Sequence, residues 1–213
     1  MAATSSIFSS STPHGSVRRK TLFFGDSITV GEGLSRPEEE RWTALVSVAQ
    51  AWAEVNEGKG GRPSSAWDEF CAVFDARKSD PDINRFVVAL GGNDARDPAP
   101  DIAAQVARNV GRMIDHARQE APAWAILVGG PYNINRLHLQ KKEIADLREK
   151  NLLAIEATLR ALARAKRCPF VPFLGAIPPG SLTADGVHPD TAGHRALASI
   201  FLASFSSTLS SKP

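Results

Sequence analysis

Apolar positions along the chain follow two patterns, which together predict an alternation of strands and helices. Short apolar runs predict strands at 22–24, around Val55, and at 86–90, 125–128 and 170–171. Apolar residues spaced i, i+3, i+4 and i+7 predict helices at 38–52, 67–74, 102–114, 139–166 and 190–205. Alternating strands and helices form βαβ units, whose strands run parallel. Right-handed crossovers then give an α/β fold, a three-layer α/β/α sandwich with a mostly parallel sheet of about five strands.

This fold class predicts where the function lies. In open α/β sheets, ligands bind outside the carboxyl ends of the strands. Five segments follow the predicted strands, at 25–33, 56–65, 91–98, 129–136 and 174–189. The polar clusters with chemical potential all fall within these segments, so we expect the functional site at this edge of the sheet.

Composition narrows the class of protein without indicating a chemistry. The chain has 213 residues, 43% hydrophobic and 23% charged, as in ordinary globular proteins. We predict a disordered Ser/Thr-rich tail at 1–20 and one domain at 21–213. The formal net charge of +2 argues against a nucleic-acid partner. Two cysteines, Cys71 and Cys168, provide neither a metal-ligand cluster nor a disulfide framework.

The amino-terminal segment lacks the features of a secretory signal. Residues 1–17 contain no apolar run of the roughly 7–15 residues that a signal peptide needs. The chain also has no uncharged apolar stretch of about 20 residues, so no membrane span is predicted. These observations predict a cytoplasmic protein, with an organelle-targeting peptide as the alternative. The oligomeric state stays open.

Two clusters contain the residues of a serine nucleophile and its base. Ser27 follows the first predicted strand directly, in the segment Gly-Asp-Ser-Ile-Thr. Asp185 precedes His188 by three residues, a spacing that lets the carboxylate hold one imidazole nitrogen while the other faces a serine. The alternatives are that Ser27 caps a helix and that Asp185 caps the last helix. We interpret His116 and His194 as surface residues.

Two further segments offer donors for an oxyanion. The glycine-rich segment 56–61 allows the backbone to approach a ligand closely, and Asn93 follows the third predicted strand. Acyl transfer needs such donors, aimed at the developing negative charge. Each segment is also typical of an ordinary turn.

Four motifs occur in order: Phe-Gly-Asp-Ser, Asn-x-Gly with further glycines, Gly-x-Asn-Asp and Asp-x-x-His. This ordered set resembles the SGNH hydrolases, also called the GDSL esterase/lipase family, over about residues 21–205. The resemblance implies the flavodoxin-like fold of that family. It also implies Ser27 as nucleophile, His188 as base and Asp185 as the residue that orients the histidine. An acyl-enzyme mechanism that needs no metal or organic cofactor follows from the resemblance.

The resemblance also implies an oxyanion hole. Its donors would be the N–H of Ser27, the N–H of Gly61 and the side chain of Asn93, with Gly60 as the alternative to Gly61. Two positions depart from the family pattern. The first motif reads Gly-Asp-Ser-Ile in place of Gly-Asp-Ser-Leu, and Gly92 stands where the family often has Thr or Glu.

The short chain leaves no material for a lid domain, so we expect a shallow site for small-molecule esters with short acyl groups. Arg136, Asn133 and Asn135 follow the fourth predicted strand and are candidate contacts for a polar leaving group such as a sugar. The alternative is that they are solvated loop residues. His138 is a further candidate contact.

Three side chains near these segments have a simpler interpretation. Trp67 shares a helical stripe with core positions, and Lys59 and Arg62 are interpreted as surface charges. The alternatives are that Trp67 lines the pocket and that Lys59 and Arg62 favour an anionic substrate. Three functions remain open: a serine esterase, a thioesterase or acyltransferase with the same triad, and a catalytically silent binding module.

Overall fold

The computed structural model describes residues 19–139 and 141–210 and contains a five-stranded sheet. Its strands are β1 (Lys20–Gly25), β2 (Ala53–Gly58), β3 (Ile83–Ala89), β4 (Ala125–Gly129) and β5 (Phe170–Val171). The spatial order is β2-β1-β3-β4-β5, and every neighbouring pair is parallel. This is the flavodoxin-like order of a doubly wound fold. The predicted α/β fold with a parallel sheet is confirmed.

Seven α-helices connect or flank the strands in the described part of the chain. They are α1 (Ser27–Val30), α2 (Pro37–Glu40), α3 (Trp42–Ala49), α4 (Trp67–Arg77), α5 (Ile102–Glu120), α6 (Lys142–Ala165) and α7 (Thr191–Ser210). Two hydrophobic clusters cover the two faces of the sheet. Helices α4, α5 and α6 contribute to one cluster, and α3 and α7 contribute to the other, which makes three layers.

The alternation of side chains in the buried strands separates these clusters. In β1, Phe24 packs in the cluster with α4 to α6, whereas Phe23 packs in the cluster with α3 and α7. Strand β3 repeats the division with Val88 and Val87, which pair with Phe24 and Phe23. Because successive side chains of a strand point to opposite faces, these central strands are apolar on both sides.

The predicted helix at 38–52 is wrong in its extent. It is two helices, α2 and α3, separated by Arg41, whose backbone is extended at ψ 148°. The Arg41 side chain makes two hydrogen bonds, of 3.0 and 2.7 Å, to the carboxylate of Glu54 on β2. This break directs Trp42 into the core, where it is fully buried.

Strand β2 is longer than the apolar run around Val55 predicts. Asn56 and Gly58 belong to the strand and pair with Phe23 and Gly25 of β1, so the loop begins after Gly58. A Cβ at Gly58 would lie 2.8 Å from the Cα of Val30. Glycine therefore allows α1 to pack directly on the end of β2.

Two histidines predicted to lie on the surface pack against the core, where His194 is buried and His116 is half-buried. His194 has no exposed surface, and its Nδ1 accepts a 3.2 Å hydrogen bond from the backbone N–H of Trp42. His116 packs its ring against the edges of Phe70 and Phe74. Trp67 lies against the same cluster, and its predicted packing role is confirmed.

The predicted tail at 1–20 lies outside the described residues except for Arg19 and Lys20, and Lys20 already belongs to β1. Residues 211–213 of the predicted domain also lie outside them. None of the helices within 19–139 and 141–210 has the length and apolar character needed to cross a bilayer.

Candidate active site

The turn between β1 and α1 presents Ser27 at the carboxyl edge of the sheet. A Cβ at Gly25 would lie 2.9 Å from the carbonyl oxygen of Ala89 on the neighbouring strand, so this tight turn needs glycine. Asp26 is the cap of α1, because its carboxylate accepts a 3.0 Å hydrogen bond from the N–H of Ile28. The capping role is therefore taken by Asp26, and the hydroxyl of Ser27 is left for another partner.

That partner is His188, 161 residues further along the chain. The Nε2 of His188 lies 2.9 Å from Ser27 Oγ, and its Nδ1 lies 2.6 Å from Asp185 Oδ2. The other carboxylate oxygen, Oδ1, accepts hydrogen bonds from the hydroxyl of Thr183 and the N–H groups of Val187 and His188, at 2.8, 2.8 and 3.0 Å. The structure thus brings the three predicted triad residues into one hydrogen-bonded chain.

Two carboxylates beside the serine have pKa values displaced in opposite directions. Partial burial alone would raise the pKa of Asp185, but the hydrogen bonds from His188, Val187 and Thr183 outweigh burial and hold it well below its usual range. Asp26 is almost completely buried, and this desolvation raises the pKa of its carboxyl to about 6 despite the hydrogen bond from Ile28. Asp185 is therefore ionised whenever an imidazole can act as a base.

The loop that carries His188 is anchored by Gly186. This glycine has φ +71°, and its carbonyl accepts a 2.8 Å hydrogen bond from the N–H of Asn135 in the loop after β4. A Cβ at this position would lie 2.6 Å from the Asn135 carbonyl oxygen and 2.8 Å from the Cβ of His138. The loop that carries His188 therefore packs backbone against backbone on the loop after β4.

Each of the predicted oxyanion donors has an N–H group that makes no hydrogen bond to a described residue. Within 19–139 and 141–210, no group accepts a hydrogen bond from the backbone N–H of Ser27 or of Gly61. The Asn93 amide nitrogen donates to the carbonyl of Arg62 at 3.2 Å, and its oxygen accepts from Arg96. An amide nitrogen carries two protons, so Asn93 keeps one for a ligand. Gly61 has φ +72°, a conformation that favours glycine.

Buried hydrogen bonds join the loops that carry Gly61 and Asn93. The carboxylate of Asp94 accepts hydrogen bonds from the N–H of Ser64 at 2.9 Å and from its hydroxyl at 2.6 Å. Asn109 on α5 donates to the same hydroxyl at 3.1 Å. These contacts hold the loop after β2 against the loop after β3.

A small cleft opens beside Ser27. It is lined by Asp26, Ser27, Ile28, Gly92, Asn93, Tyr132, Asn133, Ile134, Arg148 and Val187. Asn133 lies in this cleft as a candidate substrate contact, but its amide donates to the carbonyl of Ile177 and accepts from the N–H of the same residue, at 3.0 and 3.1 Å. Its predicted contact with substrate stays a prediction.

Arg136 is not brought into the cleft. Its guanidinium is exposed and pairs with Asp146 and Glu149 on α6. His138 is also exposed, with Nδ1 3.2 Å from the carbonyl oxygen of Thr183. The predicted substrate contact of Arg136 therefore has no support from the cleft, where a different arginine lies.

The family model of the GDSL-like lipase/acylhydrolase family matches residues 23–196, a span that includes every residue of the candidate site. The chain belongs to this family. The predicted family resemblance is confirmed, and so is the predicted enzyme class, a carboxylic-ester hydrolase. Among curated proteins, none gives a significant match.

Solved structures similar to this GDSL acylhydrolase share its fold. A carbohydrate acetylesterase from Sinorhizobium meliloti is 20% identical with a TM-score of 0.71, over 90% of this chain and 100% of that one. The M. smegmatis aryl esterase is 19% identical with a TM-score of 0.72, over 89% and 99%. A G-D-S-L family member from Veillonella parvula is 18% identical with a TM-score of 0.70, over 88% and 98%.

Two arginines of the acylhydrolase lie at positions that differ from the sequence prediction or were not part of it. Arg62, interpreted as a surface charge, is buried, and its guanidinium lies 4.1 Å from the ring of Phe24 and donates to the carbonyls of Gly25 and Glu57. It ties the ends of β1 and β2 together. The other is Arg148, which lines the cleft and is only 6% exposed.

A signal for Arg148 existed in the sequence. It lies four residues before Leu152 and seven before Ile155, on the apolar stripe of α6, so its position predicts an inward-facing side chain. A charged residue at such a position is uncommon and is a reason to suspect a functional role.

Proposed function

We propose that this acylhydrolase cleaves short-chain carboxylic esters through a Ser27-His188-Asp185 triad and a covalent acyl-enzyme. The observation that carries the proposal is the chain of two hydrogen bonds, of 2.9 Å from Ser27 Oγ to His188 Nε2 and of 2.6 Å from His188 Nδ1 to Asp185. A serine hydroxyl is a weak nucleophile until a base takes its proton. This geometry supports His188 as the base and Asp185 as the group that orients it.

In the first half of the reaction, Ser27 Oγ attacks the acyl carbonyl carbon while His188 Nε2 takes the hydroxyl proton. The ionised Asp185 keeps the other ring proton on Nδ1 and stabilises the imidazolium that forms. The carbonyl oxygen becomes an oxyanion, which accepts hydrogen bonds from the N–H groups of Ser27 and Gly61 and from the Asn93 amide. His188 then donates its Nε2 proton to the leaving alcohol, and the acyl group stays on Ser27.

In the second half, a water molecule replaces the alcohol. His188 takes a proton from this water, which attacks the acyl carbon bound to Ser27. The second oxyanion uses the same donors, and its collapse releases the carboxylic acid and returns the proton to Ser27 Oγ. One base and one oxyanion site therefore serve both steps.

The size of the cleft supports short acyl groups. The cleft is small and partly open to solvent, without the roughly 300 Å³ or more of enclosed space that a drug-sized ligand occupies. The fold of a carbohydrate acetylesterase is similar, which makes acetyl esters of sugars one suitable class of substrate. The loop after β4, with Asn133 in the cleft, is where a polar leaving group would lie.

The proposal is tested with a panel of acyl chain lengths and leaving groups on the wild type and on Ser27→Ala. We expect hydrolysis to fall steeply beyond short acyl groups, and Ser27→Ala to reduce kcat by at least about 10³-fold with an unchanged fold by circular dichroism. Ser79→Ala is the matched control, because Ser79 is an exposed serine outside the cleft. Activity of Ser27→Ala close to that of the wild type would place the nucleophile elsewhere.

The same panel separates the other functions that the triad permits. Thioesters and alcohol acceptors test for a thioesterase or an acyltransferase, since both would use the same acyl-enzyme. If no ester is cleaved and a serine-directed phosphonate does not label Ser27, the protein is a silent binding module and the proposal fails.

A further inference from the structure

Arg148 is a buried cation in the cleft beside Ser27. It comes from the inward-facing stripe of α6, and 6% of its surface is exposed. Its position on this stripe would suit an apolar side chain, yet it lines the cleft together with Ser27, Asn93 and Asn133. Arg148 and the candidate nucleophile Ser27 therefore line the same cleft.

The guanidinium has no direct partner in the described residues. Its Nε is fully shielded from solvent and makes no hydrogen bond. Asp26 and Asp185 act on Arg148 only through their charges, without a hydrogen bond to it, and the positive charge of Arg96 opposes them. Burial is the main reason why the pKa of Arg148 is lowered, although an arginine stays protonated at neutral pH.

Both nearby carboxylates are already engaged. Asp26 accepts the capping hydrogen bond of α1, and Asp185 accepts hydrogen bonds from His188 and its own loop. A buried charge without a hydrogen-bonded partner is costly, and this one lies in the cleft that Ser27 also lines. The guanidinium fork matches a planar anion such as a carboxylate, which can accept two parallel hydrogen bonds.

We propose that Arg148 binds a carboxylate on the substrate, so that this enzyme prefers esters with an anionic group close to the scissile bond. This inference rests on the proposed esterase function and adds the substrate class. The carboxylate belongs either to the acyl part or to the alcohol part, and both present the same chemistry to Arg148. Two pairs of substrates distinguish these sources.

The acyl pair is ethyl hydrogen succinate and diethyl succinate, which differ in the charge of the distal carboxyl group. The alcohol pair is 4-acetoxybenzoate and methyl 4-acetoxybenzoate. Hydrolysis of all four is followed in a pH-stat at pH 7.5 with the wild type, Arg148→Gln and Arg148→Lys. Arg164→Gln is the matched control, because Arg164 is an exposed arginine of the same helix.

We expect the wild type to favour the anionic member of one pair, and that pair identifies the part of the substrate that carries the charge. Arg148→Gln should lower kcat/KM for this anionic ester by roughly 10- to 100-fold, as expected for a lost charged hydrogen bond, and change kcat/KM for its neutral partner by less than about threefold. Arg148→Lys should retain part of the preference, since it keeps the charge but loses the fork. Arg164→Gln should behave as the wild type.

Equal losses for the anionic and neutral esters in Arg148→Gln would overturn the inference, because a purely structural arginine affects both alike. A wild type that shows no anionic preference in either pair would also overturn it, and this measurement decides the matter if the variants do not fold. In both of these outcomes neutral esters are still cleaved, so the proposed function survives. A wild type that cleaves none of the four esters, and none of the earlier panel, is the separate failure of the proposed function.

Discussion

The hydrogen bonds of Asp185 allow the orientation of His188 to be tested by a single substitution, Asp185→Asn. In the wild type, Oδ1 accepts three hydrogen bonds, from Thr183, Val187 and His188 N–H, while Oδ2 faces His188 Nδ1. An asparagine has one oxygen, and the three donors select the Oδ1 position for it. The amide NH₂ group then faces Nδ1 and turns this nitrogen into an acceptor. The ring proton moves to Nε2, which can no longer take a proton from Ser27.

The magnitude follows from the same contacts. Restoring the productive tautomer requires the amide to flip, which loses three accepted hydrogen bonds at about 1 kcal/mol each. This cost of about 3 kcal/mol corresponds to a loss of at least about 10²-fold in kcat, because about 1.4 kcal/mol is a factor of ten. Removal of the negative charge of Asp185 also destabilises the imidazolium that forms during the reaction, so we expect kcat to fall by roughly 10²- to 10⁴-fold in total.

The assay is steady-state hydrolysis of a short-chain ester by the wild type and Asp185→Asn, with urea unfolding as the test of the fold. The free energy of unfolding should also fall, because the lowered pKa of Asp185 means that its ionised form stabilises the folded state, so kcat is compared under conditions in which both proteins are folded. Asp115→Asn is the matched control, because Asp115 is a similarly exposed carboxylate that pairs with Lys166. A loss below about tenfold in a folded Asp185→Asn protein would refute the argument that Asp185 selects the histidine tautomer.

Two further predictions concern a glycine and a buried histidine. Gly186→Ala should reduce both kcat and the free energy of unfolding more than Gly175→Ala. Both glycines have positive φ, but a Cβ at Gly186 would lie 2.6 Å from the Asn135 carbonyl oxygen, whereas a Cβ at Gly175 would meet nothing within 4 Å. Equal losses of unfolding free energy in urea would contradict this. Burial lowers the pKa of His194 to about 4, so this histidine binds a proton more tightly in the unfolded protein than in the folded one. The stability that neutral His194 contributes is therefore complete above about pH 6.5 and is lost as the pH falls toward 4. In His194→Asn, which keeps an acceptor for Trp42 N–H, the acid-induced loss of unfolding free energy should shrink by about 3 kcal/mol; parallel pH dependences for the two proteins would count against it.

The parts of the fold that the sequence predicted well depend on local patterns. The central strands are continuous apolar runs, and α6 is a long stripe of apolar residues at helical spacing, so neither depends on distant partners. The break at Arg41 was missed because its cause is remote: the side chain reaches Glu54 on β2, and the pattern of residues 38–52 carries no trace of that contact.

The wrong predictions of exposure concern polar residues that are buried in the fold. His194 was interpreted as a surface residue, but its Nδ1 receives the otherwise unpaired N–H of Trp42 at the start of α3, 152 residues away. Arg62 was interpreted in the same way, and it is buried because carbonyls at the ends of β1 and β2 accept its hydrogen bonds. A polar residue looks exposed in a sequence because its compensating partner is supplied by the tertiary fold.

The sequence by itself determined the fold class, the family and the candidate triad, because these depend on periodicity and on short motifs in a fixed order. Only the tertiary structure decided which arginine lies at the serine: Arg136 points to acidic residues on α6, while Arg148 lines the cleft. Helical periodicity predicts that a position faces inward, but the groups that its side chain contacts there come from loops that follow four different strands. The proposed substrate preference depends on those contacts, and so it depends on how the loops pack at the carboxyl edge of the sheet.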